Sequence, residues 1–204
     1  MRVYPYSDRV QVSAPSAEPL SLSETKLHLH VDTDGDDPVI SAMIAAGRDV
    51  IESRTGRQLI YADWEVYGNG FAPEMVIPMP PLQYVADVPS LVVNYIDTSG
   101  VWQVLPADQY IVSRGKEPVR IWPAFGVEWP ATQHQPQSVK LAYTAGYGSS
   151  GASVPSALKQ SMLLMIGAWY ENREDVVIGT ILENLSSVES AIALMRQYET
   201  GFIW

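Results

Sequence analysis

The stretch Tyr143–Pro155, "YTAGYGSSGASVP", places Gly146, Gly148 and Gly151 in the spacing G-x-G-x-x-G, after a strand-like run and before a helix-like one. In a dinucleotide-binding fold the third glycine opens a helix whose N-terminus holds the pyrophosphate, inside a β-α-β unit. Here Pro155 sets the helix start about four residues late. The next element is a second helix rather than a parallel strand ending in an acidic residue. Glu171 and Glu174 stand at roughly the right distance, but within or at the end of a helical stretch. The glycines therefore read as a turn leaving a strand, not as a nucleotide cradle.

On either side of that turn the chain changes texture. Toward the N-terminus, Ser21 with Glu24 forms a capping box for a short helix that ends near Val31. After the acidic connector "DTDGDD", Asp36 or Asp37 is placed to cap a second helix, with Pro38 in its first turn, where no amide donor is needed. Val39, Ile40, Met43, Ile44, Gly47, Val50, Ile51 and Arg54 recur at three and four along it, and Gly56 suits a left-handed end. From Leu59 to Tyr147 the runs are short, β-branched and aromatic: "LIYADWEVYG", "MVIPMP", "LVVNYID", "VWQVL", "YIVS", "VRIWP" and "SVKLAYT". "DTSGVW" reads as a hairpin turn with Gly100 at positive φ. Helix returns at "VPSALKQSMLLMIGAWYENRED", with Leu158, Met162, Met165, Ile166 and Trp169 as its buried stripe. A last helix begins with the capping box Ser186 and Glu189 and carries Val188, Ile192, Met195 and Tyr198.

The predicted fold is α+β, a single domain over residues 1–204. Residues 21–57 and 153–204 build a helical bundle, residues 58–150 are an inserted antiparallel β region, and residues 1–20 form an extended arm. Of 204 residues, 47% are hydrophobic and 18% charged, which suits a packed globular chain. The formal net charge of -10 disfavours a protein that grips DNA by neutralising phosphates, though not one that DNA slides past. With no cysteine there is neither disulfide nor thiolate metal site. The N-terminus lacks an apolar leader, and the run Met162–Trp169 is far shorter than the roughly 20 residues of a membrane helix. Synthesis in the cytoplasm and no membrane partner are expected.

Catalytic and ligand-binding readings are weak. His28 and His30 stand beside Asp32, Asp34, Asp36 and Asp37, yet histidines two apart on a helix diverge. Taken as a calcium loop, the sixth residue from Asp32 is Asp37 rather than Gly, and the twelfth is Met43 rather than Glu. The connector reads better as a solvated acidic loop at a helix N-terminus. No G-x-S-x-G nucleophile motif occurs, and His134 lies in a polar Pro-rich loop. Trp64, Tyr67, Trp102, Trp122 and Trp129 form a candidate sugar platform, but aromatics of this density also build sheet cores and protein interfaces. No catalytic residue, cofactor or metal is expected. The apolar C-terminal "MRQYETGFIW" either docks on its own domain or meets a partner.

Four segments in order, "PLSLSETKLHLHV", "DDPVISAMIAAGRDVIESRTGRQLI", "YTAGYG" and "VPSALKQSMLLMIGAWYENRE", resemble the head-tail connector (adaptor) proteins of long-tailed bacteriophages, in particular larger prophage-type members with a β-rich middle. The resemblance spans most of Leu20–Glu174 and is loosest over Trp64–Gln137. It implies a structural protein of the virion neck that forms a ring, usually twelve-fold, beneath the portal protein. Such a ring extends the DNA channel and docks a downstream neck or tail-completion protein, and it brings no catalytic residues. On that reading Met195, Tyr198, Phe202 and Trp204 are the candidate contacts with the portal, and Tyr4 and Tyr6 those with a neighbouring subunit. The alternatives are another neck or tail-completion protein on the same helical frame, and a carbohydrate-binding module.

Overall fold

Local capping and apolar periodicity account for the helices. The computed structural model describes residues 6–113, 115, 117–172 and 186–201. Helix α1 (Leu22–Leu29) begins where the Ser21 hydroxyl accepts the Glu24 amide at 3.1 Å, and ends with His30 in the left-handed region. Helix α2 (Asp37–Thr55) has Pro38 in its first turn and ends at Gly56, φ 67°. Its buried stripe, Ile40, Ile44, Gly47 and Ile51 with Thr55, is narrower than the sequence implies, since Val39 and Val50 face solvent. Helix α3 (Ser156–Glu171) buries Leu158, Met162, Met165 and Ile166, and helix α4 (Ser186–Arg196) buries Val188, Ala191 and Met195. The capping box expected at Ser186 falls at the margin of the described residues.

The contacts divide the chain into two compact units, one of residues 16–60 with 147–204 and the other of residues 1–15 with 61–146. In the first, α2, α3 and α4 share one apolar core of Ile40, Ile44, Ile51, Leu158, Met162, Ile166 and Met195. Ion pairs tie the surface, Lys159 to Glu24 at 2.9 Å and Arg48 to Glu18 at 2.8 Å.

The second unit is antiparallel throughout. A five-stranded sheet runs β1 (Tyr6–Gln11), β2 (Ala62–Gly68), β10 (Val139–Ala145), β6 (Leu91–Ile96) and β7 (Trp102–Val104). A three-stranded sheet runs β3 (Met75–Ile77), β9 (Val119–Pro123) and β8 (Tyr110–Val112). A small hairpin, β4 (Tyr84–Val85) with β5 (Val88–Pro89), completes it. Alternation of buried and less buried residues along β2 and β10 is the period-two signature of a sheet with one face on a core. Trp64, Val66, Leu141 and Tyr143 meet Met75, Ile77, Val119 and Ile121 in one cluster, so the two sheets enclose a shared core. Gly100, φ 84°, turns the β6–β7 hairpin as expected.

The fold is thus α+β, with terminal helices and an antiparallel β insertion. Within the stretch read as an extended arm, Tyr6–Gln11 is an edge strand of the protein's own sheet, antiparallel to Trp64–Gly68 with a register shift between Tyr6 and Asp8. Asp63 secures its end: its carbonyl accepts the Val12 amide at 2.8 Å, and its own amide donates to the Ser13 hydroxyl at 2.9 Å. Partners more than fifty residues away hold this strand, which local sequence does not reveal.

Candidate assembly surfaces

The glycine turn is a packing device. Gly146 adopts φ 135°, and its amide donates to the Pro81 carbonyl at 2.8 Å. A Cβ on Gly151 would lie 2.1 Å from the Pro19 carbonyl oxygen, and one on Gly148 2.3 Å from the Ser153 hydroxyl. Two of the three glycines are therefore required because backbone or side chain already occupies the space a larger residue would need. Gly151 opens a single 3₁₀ turn, and α3 starts only at Ser156.

The acidic connector is organised around one lysine. Lys26 Nζ lies 2.8 Å from Asp34 and 2.7 Å from Asp37, and this pairing raises the lysine pKa and lowers that of Asp34. Asp36, expected as a side-chain cap, makes no capping hydrogen bond; its carboxylate accepts the Tyr170 hydroxyl at 2.6 Å instead. His28 and His30 are both exposed. Among the described residues no group of three or more His, Cys, Asp or Glu side chains gathers as metal ligands. His134 lies exposed in its loop.

The aromatics do not form one platform. Trp64 is buried in the β core with the Arg9 guanidinium 5.1 Å from its ring centroid. Trp129 stacks on Phe71 at 4.7 Å and donates its indole N–H to the Ala72 carbonyl. Tyr67 donates to Glu65 at 2.5 Å, a bond that pushes the phenol up to about 12. Trp102 is about half exposed on β7, with the Lys140 ammonium 5.9 Å from its ring.

Of the residues expected at interfaces, Met195 is buried in the helical core, and Tyr6 packs, partly buried, against the β core. Tyr198 is half-buried: its carbonyl accepts Arg57 Nε at 2.5 Å, and the guanidinium lies 5.8 Å from its ring centroid. Thr200 donates to the Thr55 carbonyl at 3.0 Å, and Glu199 faces Arg54 at 3.7 Å. The segment after α4 is thereby fastened to the end of α2. Tyr4, Phe202 and Trp204 lie outside the described residues.

Sequence reasoning missed a buried carboxylate. Glu52, on the flank of the α2 stripe, accepts Gln58 Nε2 at 2.7 Å and the Leu59 amide at 2.9 Å, while Arg48 stands 3.5 Å away. Arg48 is shared with Glu18 and Asp49, both closer at 2.8 Å. Burial is the main cause that pushes the Glu52 carboxyl up to about 7, against the opposing pull of the Leu59 amide and Arg48. The single available signal was an acidic residue one position past the buried Ile51.

Comparison with known proteins places these features. Residues 19–98 match the family described as phage gp6-like head-tail connector protein. A chain from the neck of an empty GTA particle, computed with C6 symmetry, matches at 22% identity over 95% of this chain and 96% of that one, TM-score 0.74. A chain from the virion of the native gene transfer agent particle matches at 21% identity over 94% and 95%, TM-score 0.72. One from the neck of the native particle, computed with C12 symmetry, matches at 23% identity over 95% and 96%, TM-score 0.68. No curated protein sequence gives a significant match. The matched residues 19–98 include α1, α2 and the first strands of the β insertion, so the resemblance drawn from "PLSLSETKLHLHV" and "DDPVISAMIAAGRDVIESRTGRQLI" falls inside them, and over that span the chain is similar to the phage head-tail connector family.

Proposed function

We propose that this protein is a structural component of a phage-type virion neck, an adaptor made in the host cytoplasm that assembles as a ring beneath the portal. The observation that carries the reading is the agreement of its fold, over 95% of the chain, with chains from the necks of particles solved with C6 and C12 symmetry. The connector-family match over residues 19–98 supports it independently. In this role the chain extends the DNA channel, forms a ring of about twelve copies, and offers its far side to a downstream neck or tail-completion protein. DNA passes without sequence-specific contact, and no catalysis is involved. The net charge of -10 suits such a channel, because carboxylates facing the lumen repel phosphates.

Within the assembly, Met195 acts from inside the core by fixing α4, while Tyr198, Phe202 and Trp204 form the contact with the portal. Arg57 and Arg54 hold the root of that segment in place. Tyr6 packs on the β core of its own chain, so contact between the arm and a neighbouring subunit falls to Tyr4.

Light scattering and negative-stain microscopy of the purified protein, alone and mixed with its cognate portal, test the reading. Rings, or a stoichiometric layer on one end of the portal, are expected. A monomer that ignores the portal at high concentration would instead favour a tail-completion protein on the same frame.

A further inference from the structure

The five-stranded sheet ends on either side in a strand that pairs with one neighbour only, β1 at one edge and β7 at the other. All three residues of β7 are exposed. The Asp97 amide donates to the Val101 carbonyl at 3.0 Å, and the Leu105 amide to the Val93 carbonyl at 2.8 Å, so residues 101 and 105 bond across to β6. Bonded positions alternate in an antiparallel pair, which turns the N–H and C=O of Trp102 and Val104 away from the sheet. On β1 the Val12 amide donates to the Asp63 carbonyl, and the same alternation turns the backbone of Gln11 outward. Exposed edges are ordinarily guarded by charge or proline. Residues 101–104, "VWQV", contain neither.

Register shows what the strands present on the outer face, opposite the buried Val66, Val93 and Leu141. In the middle, the polar residues of β2 and β10 bond to one another, Lys140 to Glu65 at 2.9 Å and Thr144 to Asp63 at 2.7 Å. Large apolar groups stand toward the margins instead. Val10 and Val12 at the β1 edge are 47% and 60% exposed, and Val104 on β7 is 64% exposed beside the half-exposed Trp102. An isolated sheet would place its charges at the edges, and this one inverts that order.

Five antiparallel strands leave the two edge strands running in the same direction. A rotation carrying one copy onto the next therefore sets β7 beside β1 in parallel, whereas a two-fold pair sets β7 against β7. A foreign strand would cover one edge and leave the other open. A second copy covers both, and it brings Trp102 and Val104 alongside Val10 and Val12 as cross-strand neighbours. We infer that β7 of one copy pairs in parallel with β1 of the next, so that the sheet continues from subunit to subunit. The outward backbone groups make the ladder and the marginal apolar side chains seal its outer face. With only three residues in β7, this seam adds to a larger subunit contact and does not hold two free copies together. The inference rests on the ring reading above.

Native cysteine is absent, so introduced thiols report on one junction. Gln103→Cys on β7 and Gln11→Cys on β1 are combined in one chain, assembled with the portal, and treated with a short bis-maleimide. A ladder of covalent dimers, trimers and higher species is expected, whereas a mixture of the two single variants stops at dimers. Adding Val104→Pro removes an outward N–H without touching the β6–β7 ladder, and should reduce the higher species at least tenfold. Val104→Lys, which guards the edge with charge, should do the same, and circular dichroism checks that each variant folds. A ladder unchanged by both substitutions in folded chains would show edges that are near but unpaired, and would overturn the proposal. Dimers from Gln103→Cys alone would show β7 against β7 and overturn it too. Rings visible by microscopy without a ladder would overturn this seam and leave the ring reading standing. Neither rings nor ladder would overturn both.

Discussion

A single methyl group separates a tolerated turn from a broken one at Gly151. The added carbon of Gly151→Ala would sit 2.1 Å from the Pro19 carbonyl oxygen, a backbone atom that cannot swing aside. Overpacking of this kind costs about 1–3 kcal/mol, and the upper part of that range is expected in urea denaturation. Gly35→Ala, with nothing within 4 Å of the added carbon, serves as the control and should change stability little. Glu52 makes the second residue-scale prediction. Burial pushes its carboxyl up to about 7 from an ordinary 4.5, so between these values the folded chain keeps a proton that the unfolded chain has lost. The stabilisation linked to that proton is complete below pH 4.5 and disappears as pH rises through 7, a change of about 3 kcal/mol at most. Glu52→Gln retains an acceptor for the Leu59 amide without the titration. Its stability relative to the native chain should therefore improve steadily from pH 5 to pH 8. A constant difference across that range would mean that Glu52 does not titrate there.

Elements defined by local chemistry are readable in the sequence. The Ser21 cap, the Gly56 terminus, the α3 stripe and the Gly100 hairpin depend on neighbours within a few positions, and each stands where the sequence puts it. What escaped depends on distant partners. Strand β1 exists because Trp64–Gly68 pairs with it, Val39 and Val50 are exposed because α2 is covered along a narrow strip, and Asp36 turns to Tyr170, 134 positions away, instead of capping its helix. The candidate interface residues show the same limit: an apolar residue such as Met195 reads alike in the sequence whether it faces a partner or its own core, and it lies in the core. The attachment of the segment after α4 offers an element-scale test. Arg57 holds Tyr198 through both a hydrogen bond and its ring, so Arg57→Ala should favour local opening by roughly 1–3 kcal/mol. Trypsin cleavage after the exposed Arg196 should then accelerate about 10- to 100-fold, with Arg57→Lys restoring only part of the protection. An unchanged cleavage rate would show that Thr200 and Glu199 hold the segment without Arg57.

For the whole molecule, charge separates the proposed channel wall from a DNA-binding protein. A chain that grips duplex DNA releases counterions in proportion to the phosphates it neutralises, so its affinity falls steeply with salt. A chain with 23 acidic and 13 basic residues has little to offer that process, and its basic groups are repeatedly engaged by carboxylates: Lys26 by Asp34 and Asp37, Arg48 by Glu18, Lys140 by Glu65 and Lys159 by Glu24. In the proposed ring, repeating the subunit multiplies the repulsion without adding free cations from these pairs. The assembled protein should therefore retard neither single- nor double-stranded DNA in a mobility assay at physiological salt, and lowering the salt should make retention no stronger. Replacing carboxylates that microscopy places on the lumen with lysine should create salt-dependent retention where none existed and slow genome ejection from particles carrying the variant. If the assembled protein already held DNA with a steep salt dependence, passage would rest on an adhesive wall, and the proposed repulsive channel would be wrong.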